Sequence, residues 1–138
     1  MITREADYSI RAILFLSREW PDGFPIPASV LAEEMNIPYR FLRRIIRKIA
    51  NAGFVICERG RTGGVRLAKA PADISLLDIL QAVDLRAVTL NCCLEDPGTC
   101  ERQPICPVHH EMRSLQNILE NELGSLRFDR LAKGEGRR

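Results

Sequence analysis

A chain of 138 residues, 46% hydrophobic and 28% charged, is long enough for one domain with a proper core and has an ordinary globular composition. No apolar run approaches the about 20 residues that a bilayer span needs. Residues 1–7 carry acids where a signal peptide would be apolar, so the expected compartment is the cytoplasm, with no membrane partner. The net charge of +2 hides a split: residues 1–69 hold twelve Lys/Arg against seven Asp/Glu, and residues 70–138 hold eight against eleven. A basic front half implies a polyanionic partner, and the acidic rear half a different task.

Residues 2–20 read as an amphipathic helix with Ala6, Ile10, Ile13 and Leu14 on its buried face, Thr3 as N-cap, and Glu5 and Asp7 in the first turn. Residues 21–27 are a Pro/Gly loop. The next stretch, 28–52, has the outline of a helix-turn-helix. A short helix carries Val30, Leu31 and Met35, and Asn36 takes the tight turn. Ala32 is small enough for a close helix crossing, and Pro38 opens a second helix. Its Leu42, Ile45, Ile46 and Ile49 line the core, while Tyr39, Arg40, Arg43, Arg44 and Arg47 point outward, as a helix bound for the major groove requires. A merely solvated arginine face would be expected to carry Glu partners at i±4, and no acid interrupts residues 38–52.

Gly53 ends that helix. Short strands at 54–58 and 65–67 flank an Arg/Gly tip with Arg59 and Arg61, which after a helix-turn-helix makes a wing suited to a narrow, negative minor groove. An ordinary hairpin made soluble by arginine is the plainer alternative. Cys57 reads as a small packed residue of this hairpin. Ser75 to Asp78 resembles a capping box opening a helix to about residue 83.

Residues 91–110 hold four of the five cysteines and both histidines, separated by Pro, Gly, Asp, Glu and Thr. Counted from Cys93, the spacing is Cys-x6-Cys-x5-Cys-x2-His, through Cys100 and Cys106 to His109. In a reducing compartment this set suits an iron–sulfur cluster or a structural zinc. Pro107 fits the first position of a helix, which puts Cys106 at the N-cap, where the macrodipole favours thiolate. His109 lies on the same face one turn on, and His110 is rotated away by roughly 100°. One long helix follows over 107–126, with a seam of Val108, Met112, Leu115, Leu119, Leu123 and Leu126. A helix this long either crosses a second copy of itself or folds back on its own domain.

With these parts placed, residues 1–127 resemble the IscR/NsrR-type family of iron–sulfur-cluster-containing winged-helix bacterial transcription regulators. The resemblance rests on the helix-turn-helix, the Arg59-Gly60…Gly63-Gly64 wing, the helix at 74–83, and the three-cysteine loop before a long helix. It implies a mainly α fold with a small β-wing, and a homodimer whose long helices meet through Met112, Leu115, Leu119, Leu123 and Leu126. The expected division is a DNA-binding domain at 1–83, a cluster-binding loop at 84–106 and a dimerisation helix at 107–127, with a tail at 128–138 expected to be disordered because its end has nothing to bury. It further implies a repressor whose affinity for promoter DNA follows a cluster that senses redox, nitric oxide or iron–sulfur status. By position, Cys100 and Cys106 match the second and third family cysteines, and Cys93 or Cys92 the first. His109 matches the fourth ligand of the 2Fe–2S branch; Asp7 matches the region from which the 4Fe–4S branch draws a partner-subunit carboxylate. Cluster type is open between the two. Arg43 stands where IscR-like members carry an acid, which implies a different DNA sequence.

Two other readings compete: a winged-helix DNA-binding protein with a structural Cys3His zinc, and a thiol redox or electron-transfer protein, which would leave the basic helix without a purpose. An enzyme is not expected, since no phosphate loop or serine-nucleophile pattern is present.

Overall fold

The computed structural model describes residues 2–96 and 98–135. The order is α1 (Arg4–Arg18), α2 (Ala28–Glu34), α3 (Tyr39–Asn51), β1 (Val55–Glu58), β2 (Gly64–Leu67), α4 (Leu76–Val83), α5 (Pro107–Ser125) and α6 (Phe128–Ala132), with 3-10 turns between α4 and α5. This is the expected mainly helical fold with a two-stranded antiparallel wing, in register Val55↔Leu67 to Glu58↔Gly64. Among the described residues no helix is long and apolar enough to cross a membrane.

Local chemistry accounts for the element ends. The Thr3 side chain accepts from the Ala6 amide at 3.3 Å. At the start of α4, Ser75 and Asp78 form the reciprocal capping box. The turn between α2 and α3 places Asn36 at φ 52°, a left-handed conformation that Asn adopts at little cost. Gly53, at φ 84°, closes α3: its amide reaches the Ala50 carbonyl at 2.9 Å and the Phe54 amide reaches Ile49 at 2.9 Å, the two bonds of a Schellman motif. The wing sits tight against what precedes it, since Ile26 and Val65 exchange backbone bonds of 2.9 and 2.7 Å. A Cβ on Gly64 would stand 2.4 Å from the Ile26 backbone, so only glycine fits there.

The core is built from Ile13 and Leu16 of α1, Leu31 of α2, Leu42, Ile45 and Ile49 of α3, and Val65 and Leu67 of β2. On α1 the buried stripe includes Ser9 and Ser17, whose hydroxyls are satisfied by the carbonyls one turn back at 2.6 and 2.7 Å; Ile10 and Leu14 are only half-buried.

The C-terminal segment departs from the expected disordered tail. Phe128 is fully buried in the main core, and α6 packs against α1. The Leu76 amide reaches the Leu126 carbonyl at 2.8 Å and the Phe128 amide reaches Ile74 at 3.1 Å, so the chain returns to the start of α4 before α6 begins. A core that needs Phe128 is not closed at residue 83. The remaining part of that tail, residues 136–138, lies outside the described residues.

Candidate nucleic-acid interface and metal centre

The helix-turn-helix presents two distinct polar faces of α3. Tyr39, Arg43 and Arg47 line a groove between α3 and the wing, whose opposite wall includes Cys57, Glu58 and Gly64. Arg43 and Arg47 are exposed and in no ion pair among the described residues, as are Arg40, Arg59 and Arg61. At the wing, Glu58 holds Arg66 at 2.7 Å across the hairpin, while Gly60 turns the tip at φ 107°. The groove is of the kind in which a side chain can reach base edges while the tip follows the backbone.

Arg44 does not line that groove. It pairs with Glu5 of α1, which also takes Lys48 at 2.7 Å, and its guanidinium lies 5.3 Å over the Phe41 ring. Arg44 is exposed like the other four residues expected to contact DNA from this helix, but it already has an acid partner: the one missing from α3 itself is supplied by α1, 39 positions earlier in the chain. The hydrogen bond from Lys48 is the main reason the Glu5 carboxyl is held below its ordinary value, with Arg44 adding to the effect and burial working against it. The expectation for Cys57 is corrected. It is exposed on β1 in the groove rather than packed.

The cysteine loop is partly assembled. Asn91 caps the one-turn helix Cys92–Leu94, accepting from the Cys93 amide and the Cys92 thiol, both at 3.3 Å. That cap leaves Cys92 exposed and turns Cys93 inward, where its sulfur lies 3.4 Å from His109 Nδ1. Cys106 is the N-cap of α5 and Pro107 its first residue, so His109 stands one turn into the helix, as the spacing predicts. Gln103, which sequence reasoning missed, ties the pair together. Its amide nitrogen reaches the Cys93 carbonyl and His109 Nε2, each at 3.4 Å, and its oxygen accepts from the Gly98 amide at 2.8 Å.

Cys100 and Cys106 are half-buried free thiols. Among the described residues no three His, Cys, Asp or Glu side chains are gathered closely enough to hold a metal ion. The donor types, three thiols and an imidazole, fit an iron–sulfur cluster or zinc, and of the four only Cys93 and His109 are in recorded contact among the described residues. Gln116 of α5, buried, also ties the segment before the loop to that helix: it accepts from the Leu90 amide at 2.9 Å and donates to the Val88 carbonyl at 2.8 Å. Asp7 is bonded to Arg11 at 2.6 Å, the i,i+4 pair of an ordinary first-turn acid.

The predicted seam of α5 divides. Leu119 and Leu123 line a cleft closed by Leu80, Ala87 and Val88 of the same chain, and Leu126 caps the helix. Val108, Leu115 and Ile118 are left exposed, at 55%, 49% and 57%.

The sequence profile of the Rrf2 family, described as "Iron-dependent Transcriptional regulator", matches residues 2–134. The HTH-type transcriptional regulator NsrR of Halalkalibacterium halodurans is 28% identical over 123 residues, covering 86% of this chain and 84% of that protein. Among solved structures, T. potens IscR superposes with a TM-score of 0.75 at 23% identity, covering 98% of this chain and 88% of that one. CymR, the global cysteine regulator of B. subtilis, superposes with a TM-score of 0.72 at 20% identity, covering 97% of each chain. The two superpositions establish the shared fold.

Proposed function

Since the chain belongs to the Rrf2 family of transcriptional regulators, we propose that its hold on promoter DNA is set by an iron–sulfur cluster bound by Cys93, Cys100, Cys106 and His109. That it is a DNA-binding regulator and not an enzyme follows from the family and from its relatives. The observation that carries the sensing reading is the contact between His109 Nδ1 and Cys93 Sγ, which joins the first turn of α5 to the cysteine loop. Cys92, turned outward by Asn91, is the weaker candidate for the first ligand, and Asp7, held by Arg11, for a carboxylate ligand.

A bound cluster would supply a redox-active, gas-reactive iron centre, 2Fe–2S in preference and 4Fe–4S as the alternative. The chain's own residues provide the route from that loop to DNA. Gln116 fixes residues 88–90 to α5, and α4, from which the loop departs, is fastened to the recognition helix by Lys48 donating to the Val83 carbonyl at 3.2 Å. Closing the loop around a cluster would bear on both anchors. A second copy of the chain would meet the exposed Val108, Leu115 and Ile118, and promoter occupancy would repress transcription.

Protein purified without oxygen is expected to be coloured and to contain iron and acid-labile sulfide. Cys100→Ala and Cys106→Ala should each abolish the chromophore, Cys57→Ala should leave it, and His109→Ala should give a labile cluster. Removing the cluster should change affinity for promoter DNA about 5–150-fold, the range of a 1–3 kcal/mol coupling. Stoichiometric zinc without iron or sulfide would replace this reading with a structural Cys3His site.

A further inference from the structure

The cations of a DNA-facing helix are ordinarily counted as phosphate contacts, and on α3 two of them are already spoken for. Glu5 receives Arg44 on one carboxylate oxygen and Lys48 on the other. Lys48 also donates to the carbonyl of Val83, the last residue of α4, so its ammonium joins α1, α3 and α4 at one point. Beside this joint a chain of ring and cation contacts runs from α1 to α3. Arg11 lies 5.4 Å over the Tyr8 ring, Tyr8 meets Phe41 at 6.2 Å, and Phe41 underlies Arg44. Tyr39, Arg43 and Arg47 line the groove side of the same helix.

We propose that Glu5 is a specificity-determining residue of DNA binding: it withholds Arg44 and Lys48 from phosphates and uses them to fix the set of α3 against α1 and α4. Binding to DNA of any sequence is almost wholly electrostatic, whereas discrimination comes from base-edge contacts and shape. Two cations removed from the phosphate-contacting set weaken attachment everywhere alike. The groove-facing residues, held at a fixed angle, keep their contacts only at the proper sequence. The ratio of specific to non-specific affinity therefore rises. Glu5 is an anion at neutral pH in any case, and the Lys48 hydrogen bond extends its charged range to lower pH.

The inference rests on DNA binding alone and stands whether or not the loop holds a cluster. Its test is a salt series with the full chain on two duplexes: a random-sequence duplex, and one selected from a random pool by the wild-type protein. Each phosphate contact contributes about 0.9 to the slope of log affinity on log salt. Glu5→Gln, which frees both cations, should bind the random duplex more tightly, steepen the slope by between about one and two, and reduce the preference for the selected duplex. Lys48→Met should leave the slope on the random duplex as in wild type, whereas Arg47→Met should flatten it by about one. A folded Glu5→Gln protein with an unchanged slope would overturn the proposal. So would a Lys48→Met slope flattened as far as that of Arg47→Met, and this second variant decides the matter should Glu5→Gln fold poorly.

Discussion

At the scale of single residues, Glu5 has a thermodynamic signature separate from its part in DNA binding. Its folded-state carboxyl lies below the ordinary value of 4.5, chiefly through the Lys48 hydrogen bond. Folding therefore favours the ionised form. The stability this adds is complete above the ordinary value and is lost as pH falls through the lowered one. Both cations are partly exposed, Lys48 at 38% and Arg44 at 56% of the side chain, so solvent screening limits the pair to about 1 kcal/mol. Thermal unfolding of wild type and Glu5→Gln should show that gap at pH 7 and its closure below about pH 4.5. A gap of equal size at pH 3 would mean that the carboxylate charge is not what holds α3. Nothing near Arg44 or Lys48 in the sequence announces this residue. Its partners lie 39 and 43 positions away, and only the packing of α1 on α3 brings them together. The exposure of Cys57 is hidden in the sequence for a related reason: strand alternation assigns it a face, but what covers that face is decided by α3.

At the scale of elements, the features legible in the sequence are those a few residues determine. Thr3, Asn36, Gly53, the Ser75–Asp78 box and Cys106–Pro107 each satisfy or excuse their own backbone groups, and each falls where the pattern puts it. The long helix α5 was legible in extent but not in orientation. Its apolar residues form a stripe wide enough to serve two surfaces, and Leu119 and Leu123 are taken by the chain's own cleft beneath α4 and residues 87–88. The surface left over is Val108, Leu115 and Ile118. If a second copy covers it, Leu115→Glu with Ile118→Glu would bury charge without a partner, at a cost of several kcal/mol, and sedimentation should report a monomer. Leu123→Ala should instead lower thermal stability and leave the dimer intact. A dimer unchanged by the double glutamate variant would place the interface elsewhere. The five residues of α6 are too few to display a helical period, so the sequence offers no sign of it beyond one aromatic side chain.

At the scale of the whole molecule, that aromatic side chain completes a core otherwise made from residues 12–83. Removing a buried Phe costs about 3–5 kcal/mol, a large part of the about 5–15 kcal/mol by which a domain is stable. A chain ended at residue 126 should therefore melt far below the full chain and lose DNA binding with it, as circular dichroism and gel retardation would show. Equal melting temperatures would mean that residues 12–83 suffice. The bonds from Leu76 to Leu126 and from Phe128 to Ile74 bring two points about fifty residues apart back together, with four of the five cysteines and α5 lying between them in the chain. Order of synthesis then matters. Residues 92–106 are synthesised before Phe128, so the thiols leave the ribosome ahead of the side chain that completes the core.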